Sequence, residues 1–198
     1  MKPCRTYTKR RLREQNRSFL RLAFFQPRLA RSTLNIGKPF FENCTNQTER
    51  GMEVIVFLPD SSAQAPRIVI TRMEAMFPTA KLHVAFFDDV IEGTMESGAP
   101  GSEQMRDILN FGSLLTPNDS LLVQCLMGIS RSSACAFSIA CQLAEVGREQ
   151  EILKRLVKKH SGIRPNPRIT RIADEMLGRN GAMTAVVDAH LKLVAARR

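Results

Sequence analysis

Two residues in the segment VQCLMGISRSSACAF, Val123 to Phe137, could do chemistry together: the thiol of Cys125 and the guanidinium of Arg131. Cys125 ends an apolar, strand-like run, and Arg131 opens an apolar, helix-like one. The short loop between them has Gly128 near its middle. A loop from the carboxyl end of a strand to the amino end of a helix is where an α/β protein holds an anion. The first helical turn has N–H groups without intrahelical partners and the positive end of the helix dipole. A curled loop adds further inward-pointing N–H groups, and glycine reaches backbone angles that such a curl needs. Arginine presents two parallel N–H groups to two oxygens of a phosphate. A thiol at the mouth of this ring gains the same stabilisation for its anion. A nucleophile and an oxyanion clamp in one loop are what displacement at phosphorus requires. On these grounds Cys125 is the candidate nucleophile, and Leu126, Met127, Gly128, Ile129, Ser130 and Arg131 are the candidate phosphate-binding loop.

The elements that must position this loop can be read from apolar patterning. MEVIVFLP, APRIVIT, KLHVAFF and LLVQC read as strands, the last continuous and apolar as a buried central strand should be. SEQMRDILNFGSLL carries apolar residues near helical spacing, with Ser102 as its expected cap. The C-terminal third is helical throughout. One helix starts at Ser130 and ends near Gly147, and EQEILKRLVKKH and NPRITRIADEMLG form two more. A last helix covers about Ala182 to Ala195, with His190 expected to be packed in it. Strands first and helices clustered late predict an α/β sandwich, with a mostly parallel sheet of about four to five strands flanked by helices.

Composition narrows the field further. The net charge of +10 is uneven: residues 1–51 carry 12 Lys/Arg against 3 Asp/Glu, and residues 52–198 carry 17 against 16. Basicity therefore belongs to the first quarter of the chain, and nucleic-acid binding is not expected of the remainder. Residues 1–51 read as a basic N-terminal extension. It is either a disordered tail with a short helix from about Arg10 to Phe25, an organelle-targeting segment, or sequence preceding a true start at Met52. Residues 52–198 then form the domain. The five cysteines include no C-x-x-C pair and the three histidines lie far from them, so no metal and no cofactor is expected. Cys135 and Cys141 read as small buried hydrophobes. No run approaches the roughly 18 apolar residues of a membrane span. A reducing, cytoplasmic setting and a monomer follow as expectations.

CLMGISRS matches the C-x5-R-[ST] signature and resembles the cysteine-dependent protein phosphatases, most closely their dual-specificity and bacterial tyrosine-phosphatase-like branch. HVAFFDDV resembles that branch's strand leading to a general-acid aspartate, and RPNPRITRIADEMLG its Pro-Asn segment and following helix. The resemblance covers roughly residues 67–181. It implies a tyrosine-phosphatase-like sandwich and hydrolysis of a phosphorylated protein or small phosphomonoester through a cysteinyl-phosphate. Cys125 is then the nucleophile, Arg131 the phosphoryl clamp, and Ser132 the hydroxyl that assists the leaving thiolate. Asp89 is the general acid, with Asp88 as runner-up and Glu92 and Glu96 as more distant candidates. One departure stands out: the family usually has histidine before the nucleophile, and here it is Gln124, which hydrogen-bonds but carries no charge. Two alternatives use the same loop: a phosphate-binding pseudophosphatase, and a sulfurtransferase of the rhodanese type. The serine after the arginine and the acidic loop upstream favour the hydrolase.

Overall fold

The structure is a computed structural model. It describes strand segments 21–24 and 54–58, positions 70–71, 74–75 and 78–92, and residues 98–115, 120–125 and 127–197. Four parallel strands form one sheet. They are β1 (Arg21–Phe24), β2 (Val54–Leu58), β3 (Lys81–Val84) and β4 (Ser120–Cys125), in the order β1-β4-β2-β3. Five helices follow the third strand: α1 (Ser102–Gly112), α2 (Arg131–Gln142), α3 (Glu149–Lys159), α4 (Pro167–Met176) and α5 (Ala182–Ala195). The helical C-terminal part agrees with the sequence reading.

Strand β4 lies between two neighbours. Leu122 stands opposite Ala23 of β1 and Ile55 of β2, and Cys125 at the strand's end stands opposite Leu58. Its central position explains its unbroken apolar run: Leu121 and Val123 are fully buried, and Leu122 is nearly so. The chain leaves β4 at Cys125 and enters α2 at Arg131. Helix α2 is packed against β4, α1, α3 and α4, and nearly all of its surface is buried. Ala134, Ala136, Phe137, Ile139 and the two cysteines fill that interior. Its inward-facing serines stay satisfied locally. Ser138 Oγ donates to the Ala134 carbonyl at 2.8 Å, and Ser133 Oγ bonds the Ile129 and Ser130 carbonyls at 2.5 and 2.9 Å. Cys135 and Cys141 are free, buried thiols, as small hydrophobes should be. Burial pushes the Cys141 thiol up to about 12, with Glu149 and Asp174 adding to the shift, so it is inert at neutral pH. Burial likewise raises Cys135.

The structure departs from the sequence reading at three places. Arg21–Phe24 extend the sheet along β4, so a strand precedes the boundary expected at Met52 and stands where a short helix or tail was expected. Four residues in an Arg-rich setting are too few to show a period, and an open strand edge recruits them through backbone hydrogen bonds rather than side-chain pattern. The end of APRIVIT is helical at Ile70 and Thr71, and residues 61–69 lie outside those described. Helix α1 is capped by Gly101, not Ser102, and the Gly101 N–H donates to Gln104 Oε1 at 3.1 Å.

One buried ion pair staples the helices. Arg179 and Glu149 are both almost wholly buried and meet at 2.9 Å. Arg179 also donates to the carbonyls of Cys141 and Ala144, at and just past the end of α2. Burial works against ionisation of Glu149. Hydrogen bonds from its own N–H, from Gly147 and from Arg179, with the charge of Arg179, outweigh it and hold the carboxyl below 4.5. A lowered folded value means that the stabilisation is complete above about pH 4.5 and is lost as pH falls through the folded value. Replacing Arg179 with alanine leaves the buried Glu149 carboxylate without its counter-charge and removes the side-chain donor to the Cys141 and Ala144 carbonyls. It should cost about 3–5 kcal/mol and lower the melting temperature on the order of 10 °C. Calorimetry checks this, and a loss that shrinks below pH 4 identifies Glu149 as its cause.

Among the described residues, no helix is long and apolar enough to cross a membrane.

Candidate active site

The β4–α2 connection carries the site. Cys125 is 2% exposed at the end of β4, and Arg131 is 3% exposed at the start of α2. Between them Gly128 adopts φ +68°, a left-handed angle that costs a side-chain-bearing residue far more than glycine. Leu126 lies outside the described residues; Met127 is exposed at the rim, and Ile129 and Ser130 are half-buried. Ser132 is fully buried, and its Oγ lies 3.2 Å from Cys125 Sγ. A hydroxyl at that distance donates to the sulfur whenever the sulfur is an anion. Gln124 is fully buried too. Its Nε2 donates to the Cys125 carbonyl, and its Oε1 has no hydrogen-bond partner among the described residues.

A second strand end brings the acid. After β3 the chain continues through Ala85, Phe86 and Phe87 to Asp88 and Asp89. Phe87 is 1% exposed and anchors this segment in the core. Its carbonyl accepts from Arg131 Nη1 at 2.7 Å, so the guanidinium ties the loop to the acidic segment. Asp88 is half-buried, and its N–H donates to the Gly98 carbonyl at 2.7 Å, closing the base of the acidic turn. Asp89 is exposed and reaches the loop: its Oδ1 accepts from Ser130 Oγ at 2.6 Å. Glu92 is exposed further along the turn, and Glu96 lies outside the described residues.

A third segment braces both. The Arg164 N–H donates to the Ile129 carbonyl at 2.9 Å, and the Asn166 N–H to the Ser130 carbonyl at 3.3 Å. Asn166, 1% exposed, also sends Nδ2 to Asp89 Oδ1 at 2.8 Å. Arg168 Nε donates to the Pro100 carbonyl at 2.8 Å, beyond the acidic turn. His190 on α5 packs beneath this brace, with Nε2 2.9 Å from the Ile163 carbonyl, as a packed histidine rather than a ligand. Among the described residues, no group of three His, Cys, Asp or Glu side chains is placed to hold a metal ion.

This geometry brings Cys125, Arg131, Ser132, Ser130 and Asp89 to one place from two strand ends. Sequence reasoning missed Asn166 as part of it. The signal was present: asparagine followed by proline is a helix start, and a capping side chain has a second end to use.

The crystal structure of Tk-PTP in the active form matches this chain with a TM-score of 0.54, covering 82% of this chain and 95% of that one. The fold is that of the protein tyrosine phosphatases. Sequence identity in that match is 16%. The structure of PTPMT1 in complex with PI(5)P also has a TM-score of 0.54, at 13% identity, covering 82% of this chain and 93% of that one. No family model matches the sequence, and no curated protein does. The phosphatase fold is thus retained with little of the sequence. In it the β4–α2 loop sits at the carboxyl end of the central strand, where parallel α/β sheets place their ligands.

Proposed function

We propose that the chain is a phosphomonoester hydrolase of the protein tyrosine or dual-specificity phosphatase type. One observation carries the reading: Asp89, on a separate strand end, is hydrogen-bonded at 2.6 Å to the loop that Cys125 and Arg131 bracket. An acid at the mouth of an anion loop has a use in phosphate-ester cleavage, where the leaving oxygen needs a proton.

In the proposed reaction the backbone N–H groups of the loop and the Arg131 guanidinium hold the phosphoryl oxygens. The Cys125 thiolate supplies the electron pair for a sulfur–phosphorus bond. The phosphorus–oxygen bond breaks, its pair stays on the leaving oxygen, and Asp89 gives that oxygen a proton. Asp89 then takes a proton from water as the water oxygen attacks phosphorus. The sulfur–phosphorus bond breaks, inorganic phosphate is released, and Ser132 donates a hydrogen bond to the departing thiolate. No cofactor enters either step. A monomer in the cytoplasm acting on phosphorylated protein completes the reading.

Purified protein should release phosphate from p-nitrophenyl phosphate, with vanadate as a competitor. No release under any buffer condition, with phosphate still bound, would favour the pseudophosphatase reading that the uncharged Gln124 before Cys125 suggests. Thiosulfate turnover without phosphate release would favour sulfur transfer. A panel of phosphotyrosine peptide, phosphoserine peptide and PI(5)P, the ligand seen with PTPMT1, separates substrate classes.

Asp89→Asn should slow turnover by about 10²–10⁴-fold on aryl phosphates whose phenols have a pKa near 10. Asp88→Asn should have a much smaller effect. If only Asp88→Asn slows the reaction, the acid is assigned to the wrong aspartate.

A further inference from the structure

We infer that Asn166 and Ser130 are positioning residues for the general acid, and that they make Oδ2 of Asp89 the oxygen that carries the proton. The inference rests on the hydrolase reading above and names parts that reading does not need.

Both donors converge on one atom. Ser130 Oγ donates to Asp89 Oδ1 at 2.6 Å, and Asn166 Nδ2 donates to the same Oδ1 at 2.8 Å. Among the described residues, no hydrogen bond reaches Oδ2. An oxygen that accepts from two donors has no lone pair conveniently placed for a proton of its own, so a protonated Asp89 carries its hydrogen on Oδ2. The carboxyl is thereby held through Oδ1, and Oδ2 is the oxygen left for the substrate. In the step written above, the leaving oxygen takes the Oδ2 hydrogen, and water later returns one to the same atom.

The orientation of the Asn166 amide follows from its other end. Its Oδ1 accepts from the Arg168 and Ile169 N–H groups at 2.9 and 3.2 Å and so caps α4. Its Nδ2 is also 3.4 Å from the Val90 carbonyl. Reversing the amide would set oxygen against a carboxylate and a carbonyl, and –NH₂ against two N–H donors; the network permits one orientation. The side chain is buried, and its backbone is fixed to the loop through the Ser130 carbonyl. Asn166 therefore measures the distance between α4, the phosphate loop and the acid.

Ser130 is the N-cap residue of α2 and makes no side-chain capping bond. A serine at this position ordinarily serves its own helix. Here its hydroxyl crosses to a residue 41 positions earlier. Ser133 bonds the carbonyls of Ile129 and Ser130 and holds the loop backbone while the Ser130 side chain is turned away.

The test separates positioning from folding through the leaving group. Phenyl phosphate leaves as a strongly basic phenolate and needs the proton; 2,4-dinitrophenyl phosphate leaves as a stable anion and does not. Asn166→Ser keeps an oxygen able to cap α4 and removes the amide donor. Its kcat/KM on phenyl phosphate, which covers the steps up to sulfur–phosphorus bond formation and leaves out the later attack of water, should fall about tenfold to hundredfold, the scale of a misplaced catalytic group. Its kcat/KM on 2,4-dinitrophenyl phosphate should change by less than about threefold. Ser130→Ala removes no cap and should show the same split. It carries the test alone if Asn166→Ser does not fold. Equal losses on both substrates would reduce Asn166 and Ser130 to structural roles and overturn the inference, as would no loss on either. If the unaltered protein hydrolyses neither substrate, the hydrolase reading has failed and this inference goes with it.

Discussion

Cys125→Ser is expected to abolish phosphate release while leaving phosphate binding in place. The serine hydroxyl fits the space of the thiol, and the strand end and loop that surround it keep their hydrogen bonds. Oxygen at that position remains a neutral alcohol, because nothing in the site is placed to take its proton. In the proposed reaction Asp89 serves the leaving oxygen, and Gln124, the residue beside Cys125, accepts or donates hydrogen bonds but does not bind protons at neutral pH. Removing a nucleophile in enzymes that form covalent intermediates costs about 10⁴–10⁶ in turnover, and a loss on that scale is expected. Inorganic phosphate should still protect the variant against thermal unfolding, because the loop N–H groups and Arg131 are untouched. Retained turnover would exclude Cys125 from covalent chemistry.

Arg131→Lys is expected to have the next largest effect. Lysine keeps the positive charge and loses the planar fork, so two parallel contacts to phosphoryl oxygens become one flexible contact. The change also removes the Nη1 bond to the Phe87 carbonyl. The clamp on the phosphate and the tie to the acidic segment therefore fail together. Loss of one preorganised donor to a developing oxyanion costs about 10²–10³ in kcat, and here KM should rise as well. Steady-state kinetics that resolve kcat from KM check this. A variant with raised KM and unchanged kcat would confine Arg131 to binding the ground state.

The two halves of this site differ in how much of them can be read from sequence. Cys125, Gly128 and Arg131 lie within one short segment, and their chemistry follows from a strand end, a short loop and a helix start. Apolar flanks give away both elements, since a strand buried between neighbours and a helix buried on nearly every side have little room for polar residues. Asp89 is different. It meets Ser130 across 41 positions, and no local pattern announces that meeting; only resemblance to a family suggested it. Asn166 lies 77 positions from Asp89. Its capping role is local and legible, whereas its second contact depends on how α4 packs against the sheet. The same division explains the strands. The run at β4 is visible because burial writes itself into its composition. Strand β1 joins the edge of β4 through backbone groups, which every residue has, so its sequence need not declare it.

Gln124 marks where this chain leaves the family it resembles. Its amide holds the Cys125 carbonyl, so the backbone at Cys125 is restrained without an ionisable group on the preceding residue.

Trapping the covalent intermediate tests the central claim most directly. Protein mixed with p-nitrophenyl phosphate, quenched during turnover and digested, should give a peptide containing Cys125 that carries one phosphoryl group. Cys125→Ser should give none. A burst of p-nitrophenol equal to the enzyme concentration should accompany the label if hydrolysis of the intermediate is the slower step. Turnover with no phosphoryl group on Cys125 at any quench time, or with the label on another residue, would contradict the account.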